Sequence, residues 1–375
     1  MEHTMKTYSD LNTPERILLG PGPSMVSSRV LRAMAHPLLG HLDPKFIELM
    51  KEVQDLMRYT FQTTNEMTLP VSGTGSAGME STVANLLEPG DSILIAVNGY
   101  FGERLVDMAG RYGATVYRLD KPWGEVATPE EVDAALKVHP VKVVAIVHAE
   151  TSTGAMTPLE GMAEVAHKYG ALLLVDCVTS LGGIPLKIDD WGIDIAYSGT
   201  QKCLSCPPGL SPVTVGPKAR EAFHNRKTKV ANWYLDLTML EHYWGDDRTY
   251  HHTAPISMNF ALRESLRLVQ EEGLEARYQR HLENGKLLWD GLEELDLRLI
   301  VPVKHRLPTL TTVAIPEGVI DAEIRGRLLN DYNIEVAGGL GAFKGKAWRI
   351  GLMGHGSTIR NVDLVLAALR EILGR

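Results

Sequence analysis

Between about residue 65 and residue 216, short apolar runs alternate with amphipathic segments, and this alternation constrains the fold more than any other feature of the chain. The apolar runs are continuous, which is typical of strands covered on both faces. Strand–helix alternation of this kind predicts an α/β fold with a mostly parallel central sheet and helices on both of its faces. The predicted strands are MTLPVS, SILIAV, ATVYRL, VKVVAIVH, ALLLVD, IDIAYS and SPVTVG.

The pattern changes near residues 255–275, where long helical segments replace the alternation. Further strand-like runs follow them: LRLIV, PTLTTVAIP and AWRIGLMG. A final helix is predicted to have one apolar face, formed by Ile359, Val362, Leu366, Leu369 and Leu373. We therefore predict an N-terminal arm, a large domain and a smaller C-terminal α+β domain, at residues 1–20, 21–265 and 266–375.

Composition excludes several classes of partner. The net charge of −8 argues against a protein that binds nucleic-acid phosphates. No apolar stretch approaches the roughly 20 residues that cross a bilayer, so no membrane partner is expected. The odd number of cysteines (Cys177, Cys203 and Cys206) has no disulfide-framework spacing, which predicts reduced thiols. Because the N-terminus also lacks a signal-peptide pattern, we expect a cytoplasmic protein.

The glycine-rich segment GTGSAG at residues 73–78 matches G-x-G-x-x-G, follows a predicted strand and precedes a helix. This context fits a dinucleotide-binding loop, but the next strand, SILIAV, does not end in the acidic residue that holds the ribose. A glycine-rich turn at a helix N-terminus also binds a phosphate, with Thr74 and Ser76 as hydroxyl donors. A third interpretation is a tight turn capped by Ser76.

Two charged residues follow strands that are predicted to be buried. Asp176 ends ALLLVD, and Lys202 comes shortly after IDIAYS. Because carboxyl ends of parallel strands face the same crevice, we expect both to meet the glycine-rich loop there. Pyridoxal phosphate needs these three groups: a lysine for its Schiff base, a carboxylate for its pyridine nitrogen and a helix N-terminus for its phosphate.

Motifs in a fixed order extend along nearly the whole chain: LLGPGPS, SGTGSAGME, LEPGDS, NGYFGER, HAETSTG, LLLVDCVTSLGG, DIAYSGTQK, PPG, RKTK, YHHT, LRESL, RLPTLTTVA, GGLG and WRIGLMG. With these motifs the chain resembles the class V, fold-type I pyridoxal-phosphate aminotransferases, and closely their alanine–glyoxylate (serine–pyruvate) branch. The resemblance implies Lys202 as the lysine that binds the cofactor covalently and Asp176 as the partner of its ring nitrogen. It also implies a phosphate site formed by Thr74, Gly75, Ser76 and Gln201.

The resemblance further implies which side chains surround the cofactor ring and the substrate. Phe101 stands where the family usually has a tryptophan, so an aromatic face remains but the indole N–H is lost. Val178 is expected on the other face of the ring, and Thr151 replaces a frequent serine beside it. Arg349 matches the arginine that binds the substrate carboxylate through a planar fork, and Gly22 is expected near the substrate.

The stretch EHYWGDDRTYHHT has neither a helical nor a strand period, so we predict that it projects from the domain. The resemblance implies that Tyr250 and Thr253, at its end, contact the cofactor phosphate of a neighbouring subunit. It therefore implies a homodimer with shared active sites.

The implied reaction moves an amino group from L-alanine or L-serine to glyoxylate, so the expected partners are small amino acids and 2-oxo acids. The pair His41-Leu42 stands where the serine–glyoxylate branch often has His-Arg, which favours alanine. A kynureninase-like lyase is an alternative. A cysteine desulfurase is disfavoured because no cysteine follows Cys206, and a nicotinamide oxidoreductase rests on GTGSAG alone.

Two further patterns are typical of metal sites, but we predict no metal. Cys203 and Cys206 have C-x-x-C spacing without the second pair that zinc requires. His251 and His252 lie near acidic residues, but adjacent side chains of an extended segment point in opposite directions. Packing or hydrogen bonding is the better interpretation of both patterns.

Overall fold

The computed structural model describes residues 6–375, so the first five residues of the predicted N-terminal arm lie outside the described residues. The strands of this part of the chain are β1 (Ile17–Leu18), β2 (Met67–Ser72), β3 (Ser92–Val97), β4 (Thr115–Asp120), β5 (Val143–Val147), β6 (Ala149–Glu150), β7 (Ala155–Met156), β8 (Leu172–Asp176), β9 (Ile195–Tyr197), β10 (Leu210–Val215), β11 (Leu310–Ala314), β12 (Ile334–Glu335), β13 (Ala337–Gly338) and β14 (Ala347–Gly351).

The helices flank these strands. They are α1 (Ser28–Met34), α2 (Pro44–Phe61), α3 (Gly75–Leu86), α4 (Tyr100–Arg111), α5 (Pro129–Val138), α6 (Met162–Lys168), α7 (Pro217–His224), α8 (Leu237–Trp244), α9 (Ile256–Glu272), α10 (Leu274–Glu294), α11 (Asp321–Asp331) and α12 (Ile359–Leu373). The predicted α/β fold is confirmed.

The central sheet has seven strands in the order β2-β10-β9-β8-β5-β3-β4. Strand β10 is antiparallel to both of its neighbours, and the other neighbouring pairs are parallel. Because β10 reverses direction between β2 and β9, those two strands point the same way. The carboxyl ends of β2, β9, β8, β5 and β3 therefore share one edge of the sheet, where ligands of α/β folds bind.

Both faces of the inner strands of this sheet are buried, which explains why β5 is continuously apolar, whereas the edge strand β4 has no buried residue. In β5, Val144 and Ile146 belong to a core that also contains residues of α2, α5, α6 and α9. Their neighbours Val143, Ala145 and Val147 belong to a second core, formed with α3, α4, α7 and α8. Successive side chains of a strand point to opposite faces, so every residue of β5 is apolar.

A second, antiparallel sheet in the order β11-β14-β13 packs against α10, α11 and α12 around a separate core. The prediction of a strand at LRLIV is wrong, because Leu299 is the one residue of this run that pairs with another strand, through an isolated bridge to Val313. The predicted apolar face of α12 is wrong at Ile359, which is 61% exposed as the first residue of the helix. The division into domains at residue 265 stays a prediction, and α9 crosses it.

The segment that was predicted to project from the domain divides into two parts. Its first four residues belong to α8, and Tyr243 and Trp244 are buried in the second core, so the prediction is wrong for them. Beyond Gly245 the chain becomes largely exposed. Within residues 6–375, no helix is long and apolar enough to cross a membrane.

Candidate active site

Lys202 lies in the turn between β9 and β10, at the shared edge of the sheet, and it is only 8% exposed. Its ammonium group donates a hydrogen bond to the Pro21 carbonyl. Burial lowers the pKa of Lys202 to about 8, and the positive charge of Arg349 acts in the same direction. The fold thus favours the neutral, nucleophilic form of this amine.

The segment of residues 20–24 covers Lys202. Ser24 donates its hydroxyl proton to the Lys202 carbonyl at 2.6 Å and its N–H to the Gln201 carbonyl at 2.9 Å. Gly22 has a φ of +113°, and a Cβ atom there would lie 2.7 Å from Lys202 Nζ. Glycine at this position lets the backbone approach the lysine closely.

Asp176 ends β8 and is buried beside Tyr197, its register partner on β9. The Val178 N–H donates to Asp176 Oδ1 at 2.9 Å, and the Tyr197 hydroxyl donates to Oδ2 at 2.7 Å. Burial raises the pKa of Asp176 to about 6, while these two hydrogen bonds and the charge of Lys202 oppose the increase. The carboxylate is therefore held in a fixed orientation, and a positive partner would stabilise its charge.

The glycine-rich loop leads from β2 into α3, whose N-terminus is at the same edge. The N-cap is Thr74, without a side-chain hydrogen bond, which excludes the alternative interpretation of a turn capped by Ser76. Ser76 instead accepts a hydrogen bond from Arg104 at 3.0 Å. A Cβ atom on Gly75 would lie 3.3 Å from Val178 and 3.6 Å from Gly199 Cα, so the loop packs tightly against the turns after β8 and β9.

This region has the properties of a phosphate site. Thr74 and Ser76 are exposed, and the first turn of α3 contains no acidic residue. Gln201 can contribute only its amide N–H2 group to a phosphate, because its side-chain oxygen is an acceptor. An uncapped helix N-terminus with nearby hydroxyl and amide groups can hold a dianion.

The residues expected around the cofactor ring come from three elements at this edge. Phe101 lies in the first turn of α4, half-buried, with the Arg104 guanidinium 4.9 Å from the centre of its ring. Val178 lies two residues after the end of β8, and its side chain would be 3.3 Å from a Cβ atom on Gly75. Thr151 follows β6 and shares a hydrogen bond of 2.5 Å with Thr179.

Arg349 lies on β14 of the smaller sheet and is 8% exposed. Its Nε donates to the Gly338 carbonyl at 3.0 Å, and its Nη1 donates to the Thr151 carbonyl at 3.2 Å. In the described part of the chain, no carboxylate lies within ion-pair distance of this guanidinium. Burial lowers the pKa of Arg349, and the negative charge of Glu150 opposes this. A buried guanidinium without a carboxylate partner is suited to binding the carboxylate of a ligand.

Within residues 6–375, Tyr250 and Thr253 form no hydrogen bond with the residues of this site described above. Tyr250 is 58% exposed and its ring faces His41, with the ring centres 5.2 Å apart. Within residues 6–375, its hydroxyl has one hydrogen-bond partner, Thr253, at 3.5 Å. Both residues therefore present polar groups outward.

The histidines of the same segment differ from expectation. His251 and His252 share a hydrogen bond of 2.8 Å, so the prediction that they point in opposite directions is wrong. His252 also bonds the Ser72 hydroxyl at 2.6 Å, which anchors the segment beside the glycine-rich loop. No group of three or more candidate metal ligands occurs in the described residues.

Three residues of the site were missed from the sequence: Glu150, Tyr197 and Arg104. Glu150 carried the same signal as Asp176, because it is an acidic residue soon after an apolar strand. Tyr197 and Arg104 had no comparable signal, since a tyrosine in a strand and an arginine in a helix are ordinary.

The site thus combines a buried lysine of lowered pKa, a fixed buried carboxylate and an uncapped glycine-rich helix N-terminus at one edge of a parallel sheet. These groups fit the amine-reactive aldehyde, the ring nitrogen and the phosphate of pyridoxal phosphate. This fold and site define a pyridoxal-phosphate-dependent enzyme of fold type I.

The chain belongs to the class-V aminotransferase family, whose model matches residues 18–362. It is similar to the crystal structure of an alanine–glyoxylate aminotransferase from Nostoc sp., with a TM-score of 0.98 and 54% identity, over 100% of this chain and 99% of that one. It is also 44% identical to the alanine–glyoxylate aminotransferase of Rattus norvegicus, over 97% of this chain and 89% of the rat protein.

A third relative has a different amino donor in its name. The (S)-ureidoglycine–glyoxylate transaminase of Bacillus subtilis is 40% identical, over 99% of this chain and 94% of that protein. Together with the family, these similarities identify the chain as an aminotransferase with pyridoxal phosphate as its cofactor.

Proposed function

We propose that this aminotransferase moves the amino group of L-alanine, or of L-serine, to glyoxylate. The products are glycine and, from the two donors, pyruvate or hydroxypyruvate. The observation that carries the proposal is the buried guanidinium of Arg349, which has no carboxylate partner among residues 6–375 and lies beside the cofactor-binding elements. The names of the Nostoc and rat relatives support alanine as the donor and glyoxylate as the acceptor.

Binding of the cofactor is assigned to groups of the larger sheet. When bound, pyridoxal phosphate supplies an aldehyde that reacts with amines and a ring that withdraws electrons. The N-terminus of α3, Ser76 and Gln201 would hold the phosphate. Asp176, kept in place by Tyr197 and Val178, would hold the ring nitrogen.

The proton chemistry is assigned to Lys202. Its lowered pKa makes a neutral amine accessible near pH 8, and Lys202 Nζ takes the proton from Cα of the amino donor. Arg349 binds the carboxylate that all of the proposed substrates share, and so orients the Cα–H bond toward that amine. The segment of residues 20–24 covers this lysine and limits access of water.

The donor is tested by measuring kcat/KM with glyoxylate as the common acceptor. The panel is L-alanine, L-serine and (S)-ureidoglycine, with the Lys202→Ala variant as the background rate. We expect alanine to have the highest kcat/KM and serine to follow it. A higher value for (S)-ureidoglycine would place this chain with the Bacillus subtilis relative, and no glyoxylate-dependent turnover with any donor would refute the proposal.

We also propose that the protein is a homodimer with shared active sites. The exposed hydroxyl groups of Tyr250 and Thr253 are free to reach a second subunit, and the phosphate-site residues Thr74 and Ser76 are exposed as well. Exposed aromatic side chains near this segment support an interface there: Trp233 is 59% exposed and Tyr234 41%. Aromatic residues are enriched at interfaces.

Mixed dimers test this arrangement. Lys202→Ala chains are refolded together with Tyr250→Ala, Thr253→Ala chains. If the sites are shared, one site of each heterodimer contains both lesions and the other contains none, so activity reappears. Activity no higher than the mean of the two parent homodimers would contradict shared sites.

We further propose a cytoplasmic protein with no nucleic-acid or membrane partner. The three cysteines are buried and unpaired, as is typical of proteins from reducing compartments. The net charge of −8 disfavours nucleic-acid phosphates. Cell fractionation with an antibody to the protein tests the location, and recovery in the membrane pellet would contradict it.

A further inference from the structure

Helix α4, which carries Phe101, has no N-terminal cap of its own. Its N-cap residue is Gly99, which has no side chain. Three consecutive N–H groups of the first turn instead donate to the side chains of Glu150, at the end of β6, and of Ser152, in the turn after β6. The Tyr100 N–H donates to Ser152 Oγ at 2.9 Å, and the N–H groups of Phe101 and Gly102 donate to Glu150 Oε2 at 3.1 and 3.3 Å.

The second carboxylate oxygen of Glu150 is also fully used. Glu150 Oε1 accepts the Ser152 N–H at 3.0 Å and the Ser152 hydroxyl at 2.6 Å. All four partners are donors, so the geometry fits an ionised carboxylate. Burial raises the pKa of Glu150, and the hydrogen bonds from Ser152 and Gly102 oppose this.

Glu150 and Ser152, which cap α4 from another segment of the chain, pack closely against Gly99. A Cβ atom on Gly99 would lie 2.3 Å from Glu150 Cγ and 2.5 Å from Ser152 Oγ. The side chains of Glu150 and Ser152 therefore fill the space of an ordinary N-cap side chain. Glu150 itself is completely buried, and in residues 6–375 it has no ion-pair partner. The positive end of the α4 dipole provides the compensating charge.

This cap connects three parts of the site. Glu150 holds the backbone of Phe101 on one side, and Thr151 follows it directly in the chain. The Thr151 carbonyl accepts the hydrogen bond from Arg349 Nη1. A displacement of the Glu150 carboxylate would therefore change the position of the Phe101 ring relative to both Thr151 and Arg349.

We propose that Glu150 is a positioning residue whose carboxylate fixes the Phe101 ring against the cofactor and in register with Thr151 and Arg349. The inference rests on the proposed roles of Phe101 and Arg349. In this proposal Glu150 acts on the reaction indirectly, through the position of Phe101, and its buried charge is needed to hold that position.

The test is the Glu150→Gln variant, which has the same shape. In either orientation its amide N–H2 group would face two donors, which are the N–H groups of Phe101 and Gly102 or the N–H and hydroxyl of Ser152, so one pair loses its acceptor. We expect the dissociation constant of pyridoxal phosphate to rise about 10-fold or more. The visible circular dichroism of the bound cofactor should also change, because it reports the orientation of the ring.

The matched control is Glu131→Gln. Glu131 caps α5 by accepting the Thr128 N–H at 3.0 Å, away from the site. This variant should lose thermal stability but keep the parent's dissociation constant and circular dichroism. Ser152→Ala removes the acceptor of the Tyr100 N–H and should change both cofactor readouts in the same direction as Glu150→Gln, by less.

A Glu150→Gln variant with the parent's cofactor affinity and circular dichroism would overturn the proposal, whatever its stability. If that variant does not fold, unchanged cofactor readouts in Ser152→Ala would overturn it instead. Failure of the proposed function is a separate result. If the parent enzyme does not use glyoxylate, but Glu150→Gln still shifts both cofactor readouts, the positioning role stands and the substrate proposal falls.

Discussion

The buried ammonium of Lys202 destabilises the cofactor-free protein by an amount that can be measured. The pKa of this group falls from 10.5 to about 8 in the fold. At about 1.4 kcal/mol for each pH unit, the charged form costs about 3 kcal/mol of unfolding free energy. Replacement by methionine keeps the length of the side chain and removes the charge. Methionine also loses the hydrogen bond to the Pro21 carbonyl, and this loss reduces the gain in stability by about 1 kcal/mol.

The pH dependence has a defined sign. Between the folded pKa of about 8 and the unfolded value of 10.5, the unfolded chain binds more protons at Lys202 than the folded protein does. The contribution of Lys202 to stability therefore rises with pH across this window. We expect Lys202→Met to be about 2 kcal/mol more stable than the parent near pH 7. Near the upper end of the window this advantage should disappear.

The assay is urea unfolding of the cofactor-free parent and variant, at equal protein concentration, near pH 7 and near pH 10. The difference between the two proteins cancels the titration of all other groups. Lys229→Met, at an exposed lysine, is the control and should show no pH-dependent difference. A Lys202→Met advantage that is absent near pH 7, or equal at both pH values, would refute a buried lysine with a lowered pKa.

Two further substitutions test the carboxylate and the guanidinium. Asp176→Asn keeps the hydrogen-bonding shape but loses the charge, so kcat should fall about 100-fold or more, and a parent-like kcat would contradict the role of Asp176. Arg349→Ala should raise KM for amino and 2-oxo acids alike, by about 10-fold or more, with unchanged visible absorbance of the bound cofactor. Arg349→Lys should restore little, since an ammonium cannot form the fork, and an unchanged KM in the Ala variant would exclude carboxylate binding.

The sequence was most informative for strands that are buried on both faces of the sheet. MTLPVS and SILIAV coincide with Met67–Ser72 and Ser92–Val97, because a strand that is covered on both faces consists largely of apolar residues. The positions of Asp176 and Lys202 after such strands predicted that both lie at one edge of the sheet, and the structure places them there. Periodicity and strand direction are local properties, so they can be read from short segments.

Contacts between remote segments could not be predicted in this way. The cap that Glu150 gives to Phe101 joins the end of β6 to the first turn of α4, and neither segment encodes its partner. Short helices were a second limit. Tyr243 and Trp244 end the buried helix α8, but aromatic residues followed by charged ones do not by themselves predict a helix. The proposed contact of Tyr250 with a neighbouring subunit rests on the resemblance to the aminotransferase family. The exposure of this side chain in one subunit does not show what covers it.

Transfer of the amino group itself is measured most directly with L-alanine that carries an isotopic label on its nitrogen. The purified enzyme, loaded with pyridoxal phosphate, is incubated with this alanine and unlabelled glyoxylate, and the products are analysed by mass spectrometry. We expect labelled glycine and pyruvate in equal amounts, with no labelled ammonia and with no product from Lys202→Ala. Glycine without the label would contradict an alanine–glyoxylate aminotransferase. Pyruvate formed together with labelled ammonia would contradict it as well.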